Sequence, residues 1–225
     1  MKLLVGIPAL NEERTILGVI KNIPKNIPGV KKIDIVVVDD GSTDKTSQVV
    51  SEKGVLVLKH IIRRGLGGAL KTIIAYAQNH DYDLLVTLDA DGQHDPKELP
   101  KLTEAVIEKR KDVVIGTRWK KAKNPYSRYI INQLANILTY LIFGIWSSDS
   151  QSGFRAFSKR AIIKLKIQTD GMEVSSEFFK EIYQHKLKYA EVPIKAIYSD
   201  YSKSKGQQIS EAPKVFFQLF FRLLR

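Results

Sequence analysis

Two pairs of carboxylates stand at the ends of apolar runs in this 225-residue chain. Leu84-Leu85-Val86-Thr87-Leu88 leads into Asp89-Ala90-Asp91-Gly92-Gln93-His94-Asp95-Pro96, and Val36-Val37-Val38 leads into Asp39-Asp40-Gly41-Ser42-Thr43-Asp44. Residues two apart in a strand face the same side, so Asp89 and Asp91 aim together if the strand extends through them. Neighbouring carboxylates repel each other, and a divalent cation between them removes that cost. Hard oxygen ligands, few in number, in a chain with no cysteine, suit Mg²⁺ or Mn²⁺ held jointly with substrate phosphates. After the second pair, Ser42 or Thr43 is a suitable cap for a following helix.

Rival readings of these residues fail on register. An EF-hand needs glycine at its sixth position, where this chain has His94, and an acid at its twelfth, where it has Pro100. The run Gly65-Leu66-Gly67-Gly68-Ala69-Leu70-Lys71-Thr72 ends like a Walker loop but lacks a glycine at position 70, and the dinucleotide pattern fails at the same residue. A glycine-rich helix start preceded by Arg63 and Arg64 survives, read either as an anion contact or as close packing. His60, His80 and His185 have no metal-ligand spacing; His94 is a candidate only through its acidic neighbours.

These residues need elements to hold them. Lys2 to Ile7, Ile33 to Val38, Val55 to Leu58, Leu84 to Leu88 and Val113 to Thr117 read as buried strands, apolar on both faces. Glu12 to Asn22, Thr43 to Lys53, Gly67 to Asn79 and Lys97 to Lys109 have helical periodicity. Four such alternations predict an α/β fold: a mostly parallel, Rossmann-like sheet with helices on both faces and ligands beyond the carboxyl ends of the strands. Tyr126 to Trp146 is long and apolar, but Asn132, Gln133, Asn136 and Thr139 interrupt it. It reads as a core helix or as an amphipathic helix at a membrane interface. Residues 1–211 are expected to form one domain. In 212–225, Phe216, Phe217, Phe220 and Phe221 stand among Lys214, Arg222 and Arg225, an amphipathic segment expected to lie on a membrane surface.

The 36 Lys and Arg against 24 Asp and Glu give a formal charge of +12, and 44% of residues are hydrophobic. That profile excludes a disordered chain and calls for anionic company: nucleic acid, lipid headgroups or a phosphorylated substrate. The basic residues are scattered and carry no recognised binding motif, so no nucleic acid is expected. With no disulfide possible, no signal-like N-terminus and no uninterrupted apolar span, a cytoplasmic protein is expected.

Taken together, Pro8-Ala9-Leu10-Asn11-Glu12, Asp39-Asp40-Gly41-Ser42-Thr43-Asp44, Arg64-Gly65-Leu66-Gly67-Gly68-Ala69 and Asp89-Ala90-Asp91-Gly92-Gln93 resemble a family 2 glycosyltransferase of the GT-A fold. Gly116-Thr117-Arg118, Asp149-Ser150-Gln151-Ser152-Gly153-Phe154-Arg155, Ser176-Glu177 and Glu191-Val192-Pro193-Ile194 are similar to the polyprenyl (dolichyl) phosphate mannose or glucose synthase branch. The resemblance implies an inverting transfer of a hexose from a GDP- or UDP-sugar to a polyprenyl phosphate, peripheral on the cytoplasmic face of the membrane. It implies that Pro8, Leu10, Glu12, Val38, Asp39, Gly67, Asp91 and Lys205 serve the nucleotide, Lys205 on a loop closing over the donor. Asp89, Asp91 and Gln93 would ligate the metal, and Arg118 and Arg128 would hold the acceptor phosphate.

The chemistry is coherent with this. Charge develops on the departing nucleoside diphosphate, where a metal and nearby cations stabilise it. A phosphate monoester acceptor is largely dianionic at neutral pH and needs no strong base, whereas a hydroxyl acceptor does. Asp149 or Glu177 would be that base if the acceptor were a protein, glycan or lipid hydroxyl; otherwise they orient other groups. A nucleotidyltransferase uses similar acids but would release pyrophosphate.

Overall fold

A computed structural model describes residues 1–118, 133, 136–137, 139–141, 143–195 and 197. Seven strands form one sheet in the order β3-β2-β1-β4-β6-β5-β7: β1 (Lys2–Ala9), β2 (Lys32–Asp39), β3 (Leu56–Lys59), β4 (Leu84–Thr87), β5 (Val113–Thr117), β6 (Arg155–Ser158) and β7 (Tyr189–Pro193). All neighbours pair in parallel except β6, which runs antiparallel to both β4 and β5. The helices are α1 (Ile16–Lys21), α2 (Thr46–Ser51), α3 (Leu66–Asn79), α4 (Leu99–Ile107), α5 (Lys159–Lys164) and α6 (Val174–Gln184), with a 3₁₀ turn over Pro96–Glu98 before α4.

Alternation along the strands divides the core in two. Leu3, Val5 and Ile7 of β1 face one layer with Ile16, Val50, Leu99 and Leu102 from α1, α2 and α4. Leu4 faces the other, with Ile73, Ile74, Phe178 and Phe179 from α3 and α6. Both faces of the sheet are covered, as the continuous apolar runs require. Gly6 lets α3 lie close on β1, since a Cβ there would come 2.3 Å from Ile73 Cγ2.

Helix starts differ from the periodicity reading. α1 begins at Ile16 and α2 at Thr46, because the residues ahead of them cross-link two loops. Ser42 Oγ accepts from Asn11 N at 2.9 Å, and Asn11 Oδ1 accepts from Thr43 N at 2.9 Å, so neither Ser42 nor Thr43 caps α2. The strand expected through Asp89 and Asp91 stops at Thr87. The two acids lie in the turn beyond it, where Gln93 N donates to Asp91 Oδ1 at 2.9 Å; strand alternation therefore does not set their directions.

The helical residues between β5 and β6 have their polar side inward. Asn136 and Thr139 are buried, while Ile137, Tyr140 and Leu141 are exposed, Leu141 at 74%. Asn136 clamps the following loop: its Nδ2 donates to Ser148 O and its Oδ1 accepts from Ser150 N, both at 3.0 Å. Among the described residues no helix is long and apolar enough to cross a membrane. Arg128, Lys205 and the segment 212–225 lie outside the described residues.

Candidate active site

The carboxyl ends of β1 and β2 adjoin in register, Pro8 beside Val38 and Ala9 beside Asp39, and the loops leaving them are laced together. Glu12 N donates to Thr46 Oγ1 at 2.8 Å, and its carboxylate Oε2 accepts from Thr15 Oγ1 at 2.7 Å. Asp39 is fully buried; its carboxylate accepts from Ser42 N at 2.8 Å and from Ser47 Oγ. Val38 is buried in the layer beneath α3, so its side chain packs in the core. Pro8 and Leu10 are partly exposed at this edge and Glu12 is nearly covered.

Asp40 shapes the glycine-rich loop. Its carboxylate accepts from Arg64 N at 2.9 Å and Gly65 N at 2.7 Å, and His60 Nδ1 lies 2.7 Å away. Gly65 takes φ +97°, and a Cβ on Gly67 would come 2.2 Å from Thr169 O. The geometry thus gives Gly67 a packing role against the 169–170 backbone. Glu177 is committed to the same segment: Gln168 N and Thr169 N each donate to it at 2.9 Å, and Thr169 Oγ1 adds a third bond at 2.5 Å.

The acid turn lies between these loops and β6. Asp89 keeps 34% of its side chain exposed, and a Cβ on Gly153 would come 2.2 Å from its Oδ1. Burial pushes the Asp89 carboxyl above the usual range, with the charges of Arg118 and Arg155 opposing. Asp91 is raised too, first by burial and then by the charge of Asp89. A cation relieves both costs, so two carboxylates penalised in this way fit a divalent ion. Among the described residues no three His, Cys, Asp or Glu side chains gather as a metal cluster.

His94 completes the turn. It is buried against Phe154, neither ring nitrogen has a hydrogen-bond partner among the described residues, and Nδ1 is 3.5 Å from Asp89 Oδ2. Burial, reinforced by the charge of Arg118, lowers its pKa to about 4, so it is neutral at pH 7. Ile197 N donates to Gln93 O at 2.8 Å, which brings the chain beyond β7 onto this turn.

Arg118, at the end of β5, is gripped by Asp149. Nε donates to Oδ2 and an Nη to Oδ1, both at 2.8 Å, and the Arg118 backbone N donates to Oδ2 at 3.1 Å. The loop carrying Asp149 is fixed by Glu191, which accepts from Ser147 Oγ, Ser148 N and Ser148 Oγ at 2.7–2.8 Å. Sequence reasoning gave no separate role to Arg155. It is 2% exposed, bonded through Nε to Ser152 O at 2.8 Å and through an Nη to Ser150 O at 3.0 Å, and stacked on Phe178. An arginine among Phe154, Ala156 and Phe157 was the available signal, since charges enter cores only when paired or hydrogen-bonded. Burial lowers its pKa to about 10, which leaves it charged.

Residues 4–166 match the model of Glycosyl transferase family 2. A UDP-N-acetylglucosamine–dolichyl-phosphate N-acetylglucosaminyltransferase of Methanococcus voltae is 34% identical over 97% of this chain and 93% of its own. An undecaprenyl-phosphate mannosyltransferase of Micrococcus luteus is 30% identical over 94% and 91%. The crystal structure of glucosyl-3-phosphoglycerate synthase from Mycobacterium tuberculosis with Mn²⁺, UDP and glucosyl-3-phosphoglycerate superposes with a TM-score of 0.76, at 22% identity, over 99% of this chain and 80% of that one. The sheet order and these likenesses make the fold GT-A, and the chain belongs to glycosyltransferase family 2.

Proposed function

We propose that this enzyme transfers a sugar, a hexose in the simplest case, from a GDP- or UDP-sugar to a polyprenyl phosphate at a membrane surface, with inversion at the anomeric carbon. The observation that carries the reading is the commitment of the two carboxylates suited to act as base. Asp149 is spent on Arg118 and Glu177 on the 168–169 backbone. A hydroxyl acceptor requires a base in reach, whereas a phosphate monoester, with a second pKa near 6, arrives ionised. The two relatives named above act on dolichyl and undecaprenyl phosphate by their names, which supports the same acceptor class.

Asp89, Asp91 and Gln93 would hold the divalent ion, Mg²⁺ or Mn²⁺. When bound, it would supply charge stabilisation for the departing nucleoside diphosphate. The interlaced loops of Asn11, Glu12, Ser42 and Thr43 would floor the nucleotide. Arg118, fixed by Asp149, would orient the acceptor phosphate, with Arg128 as a second cation and Lys205 closing over the donor. The outward apolar residues Ile137, Tyr140 and Leu141 support peripheral docking on lipid, where the acceptor resides. The segment 212–225 would add to it, on the cytoplasmic face.

Incubation of the enzyme with Mn²⁺, dolichyl phosphate and radiolabelled GDP-mannose, UDP-glucose or UDP-N-acetylglucosamine tests this. A butanol-extractable labelled lipid with one of these donors is expected; no lipid product with any common GDP- or UDP-sugar sinks the reading.

A further inference from the structure

The loop that leaves β3 carries two isoleucines into solvent. Ile61 is 99% exposed and Ile62 74%. Isolated exposed apolar side chains are ordinary on a surface, whereas an adjacent pair this bare marks a contact. Basic residues flank the pair: Lys59 and Arg63 are exposed, and Arg64 follows. From Lys53 to His80 the chain has no Asp or Glu and five Lys and Arg. Asp170 stands 3.7 Å from an Arg64 Nη and is paired more closely with Lys71, so the charge of the tip itself is that of Lys59 and Arg63.

The tip is held from below. His60 N donates to Asp39 O at 2.9 Å, and the His60 ring bridges Asp40 at 2.7 Å and Thr72 Oγ1 at 2.9 Å. On the far side Asp40 accepts from Arg64 N and Gly65 N, so one buried carboxylate anchors both feet of the loop. Gly41 lies beneath, where a Cβ would come 3.0 Å from Arg63 N. A loop fixed at both ends presents Ile61 and Ile62 with little ordering left to lose on contact. Because β1, β2, β3 and β4 are parallel, their carboxyl ends share one rim. The tip stands at the β3 end of that rim, and the acid turn after β4 lies on the same rim.

We propose that Ile61 and Ile62, with Lys59 and Arg63 beside them, form a docking tip that inserts the isoleucines among the headgroups of an anionic bilayer. Insertion takes apolar side chains out of water while the cations meet lipid phosphates; an apolar layer under a negatively charged surface is what anionic lipid offers. The inference rests on the reading of the enzyme as peripheral on lipid and deepens it. It adds a contact at the β3 end of the rim to the one carried by Ile137, Tyr140 and Leu141, and two contacts fix how the rim faces the bilayer.

Sedimentation with vesicles of phosphatidylcholine alone, and of phosphatidylcholine mixed with phosphatidylglycerol, tests it. The proteins compared are the wild-type chain, Ile61→Ser/Ile62→Ser, Arg63→Gln, and Ile137, Tyr140 and Leu141 replaced together by Ser. Ile61→Ser/Ile62→Ser should lose at least about tenfold in affinity for anionic vesicles. Its melting temperature and its transfer to dolichyl phosphate dispersed in detergent should be unchanged. Arg63→Gln should lose roughly fivefold on anionic vesicles and nothing on neutral ones; an equal loss on both would refute the role given to charge. Wild-type affinity in Ile61→Ser/Ile62→Ser, with binding lost in the triple variant, overturns the tip and leaves peripheral docking standing. A wild-type dimer that Ile61→Ser/Ile62→Ser dissolves in ultracentrifugation, with vesicle binding kept, also overturns it, by making the tip a contact between copies. If wild type binds neither kind of vesicle, the reading of the enzyme as peripheral falls together with the tip.

Discussion

Asp149 grips Arg118 through both carboxylate oxygens, each 2.8 Å from a guanidinium nitrogen, and takes the Arg118 backbone N–H as well. The carboxylate is fully buried and the arginine 13% exposed, so the cation is fixed in direction at the end of β5. An acid held in this way orients its partner.

Asp149→Asn should therefore leave donor binding intact and weaken use of the acceptor. Loss of orientation of this kind costs up to about 100-fold in turnover, read as a raised KM for polyprenyl phosphate or a lowered kcat. The pH–rate profile should keep its shape, because the group removed serves to orient Arg118; disappearance of its acidic limb would make Asp149 a base.

His94 supplies a pH prediction. Its pKa is lowered from 6.5 to about 4, so between those values the unfolded chain takes up a proton that the folded chain refuses. Stability from this group is complete above pH 6.5 and declines as pH falls toward 4, by an amount on the order of 3 kcal/mol. Asp89 and Asp91, both raised, act in the opposite sense, and Arg118, Arg155 and Asp149 complete the charges around the ring. Denaturant melts of wild type and His94→Gln across this range isolate the term: the variant should lose less stability on acidification, and parallel curves would refute the assignment.

Gly67→Ala places a methyl group 2.2 Å from the Thr169 carbonyl. Backbone must move, at a cost of about 1–3 kcal/mol, which for a domain of this size is a fall of several degrees in melting temperature, at about 2–4 °C per kcal/mol. Gly18→Ala, where nothing lies within 4 Å of the added Cβ, is the control and should not destabilise.

The inward-polar helix separates stability from docking. Replacing Ile137, Tyr140 and Leu141 together by Ser should leave the melting temperature nearly unchanged, since all three are exposed, and should reduce sedimentation with anionic vesicles severalfold. Asn136→Ala should do the reverse, stranding the Ser148 carbonyl and Ser150 N–H it bonds at about 1–3 kcal/mol. Vesicle binding indifferent to the triple variant would remove these residues from the docking surface.

The first half of the chain was legible because its apolar runs are bounded by chemistry-bearing turns. β1, β2 and β5 fall where the runs fall, since strands buried on both faces read as nearly continuous apolar runs, with Asp34 of β2 an exception at its less buried start. Loops were read less well: Ser42 and Thr43 bond to Asn11 across 31 and 32 residues, and a local capping rule cannot see a partner that distant. The same holds for β6, whose antiparallel pairing with β4 spans α4, β5 and the helical residues that follow. Asn136 and Thr139 read as interruptions of an apolar helix because periodicity identifies two faces without saying which one meets the core. In the site, paired acids were visible as a motif, whereas the grip of Asp149 on Arg118 joins residues 31 apart and emerged only from the fold.

The central claim is sugar transfer to a phosphate by a site whose candidate bases, Asp149 and Glu177, are committed to other bonds. It is tested most directly by offering the wild-type enzyme, Mn²⁺ and its preferred nucleotide sugar to dolichyl phosphate and to dolichol in parallel, with Asp91→Ala as control. The account predicts an inverted glycosyl phosphodiester from the phosphate, no product from the alcohol, and loss of turnover in the folded Asp91→Ala variant; glycosylation of dolichol with none of dolichyl phosphate would contradict it.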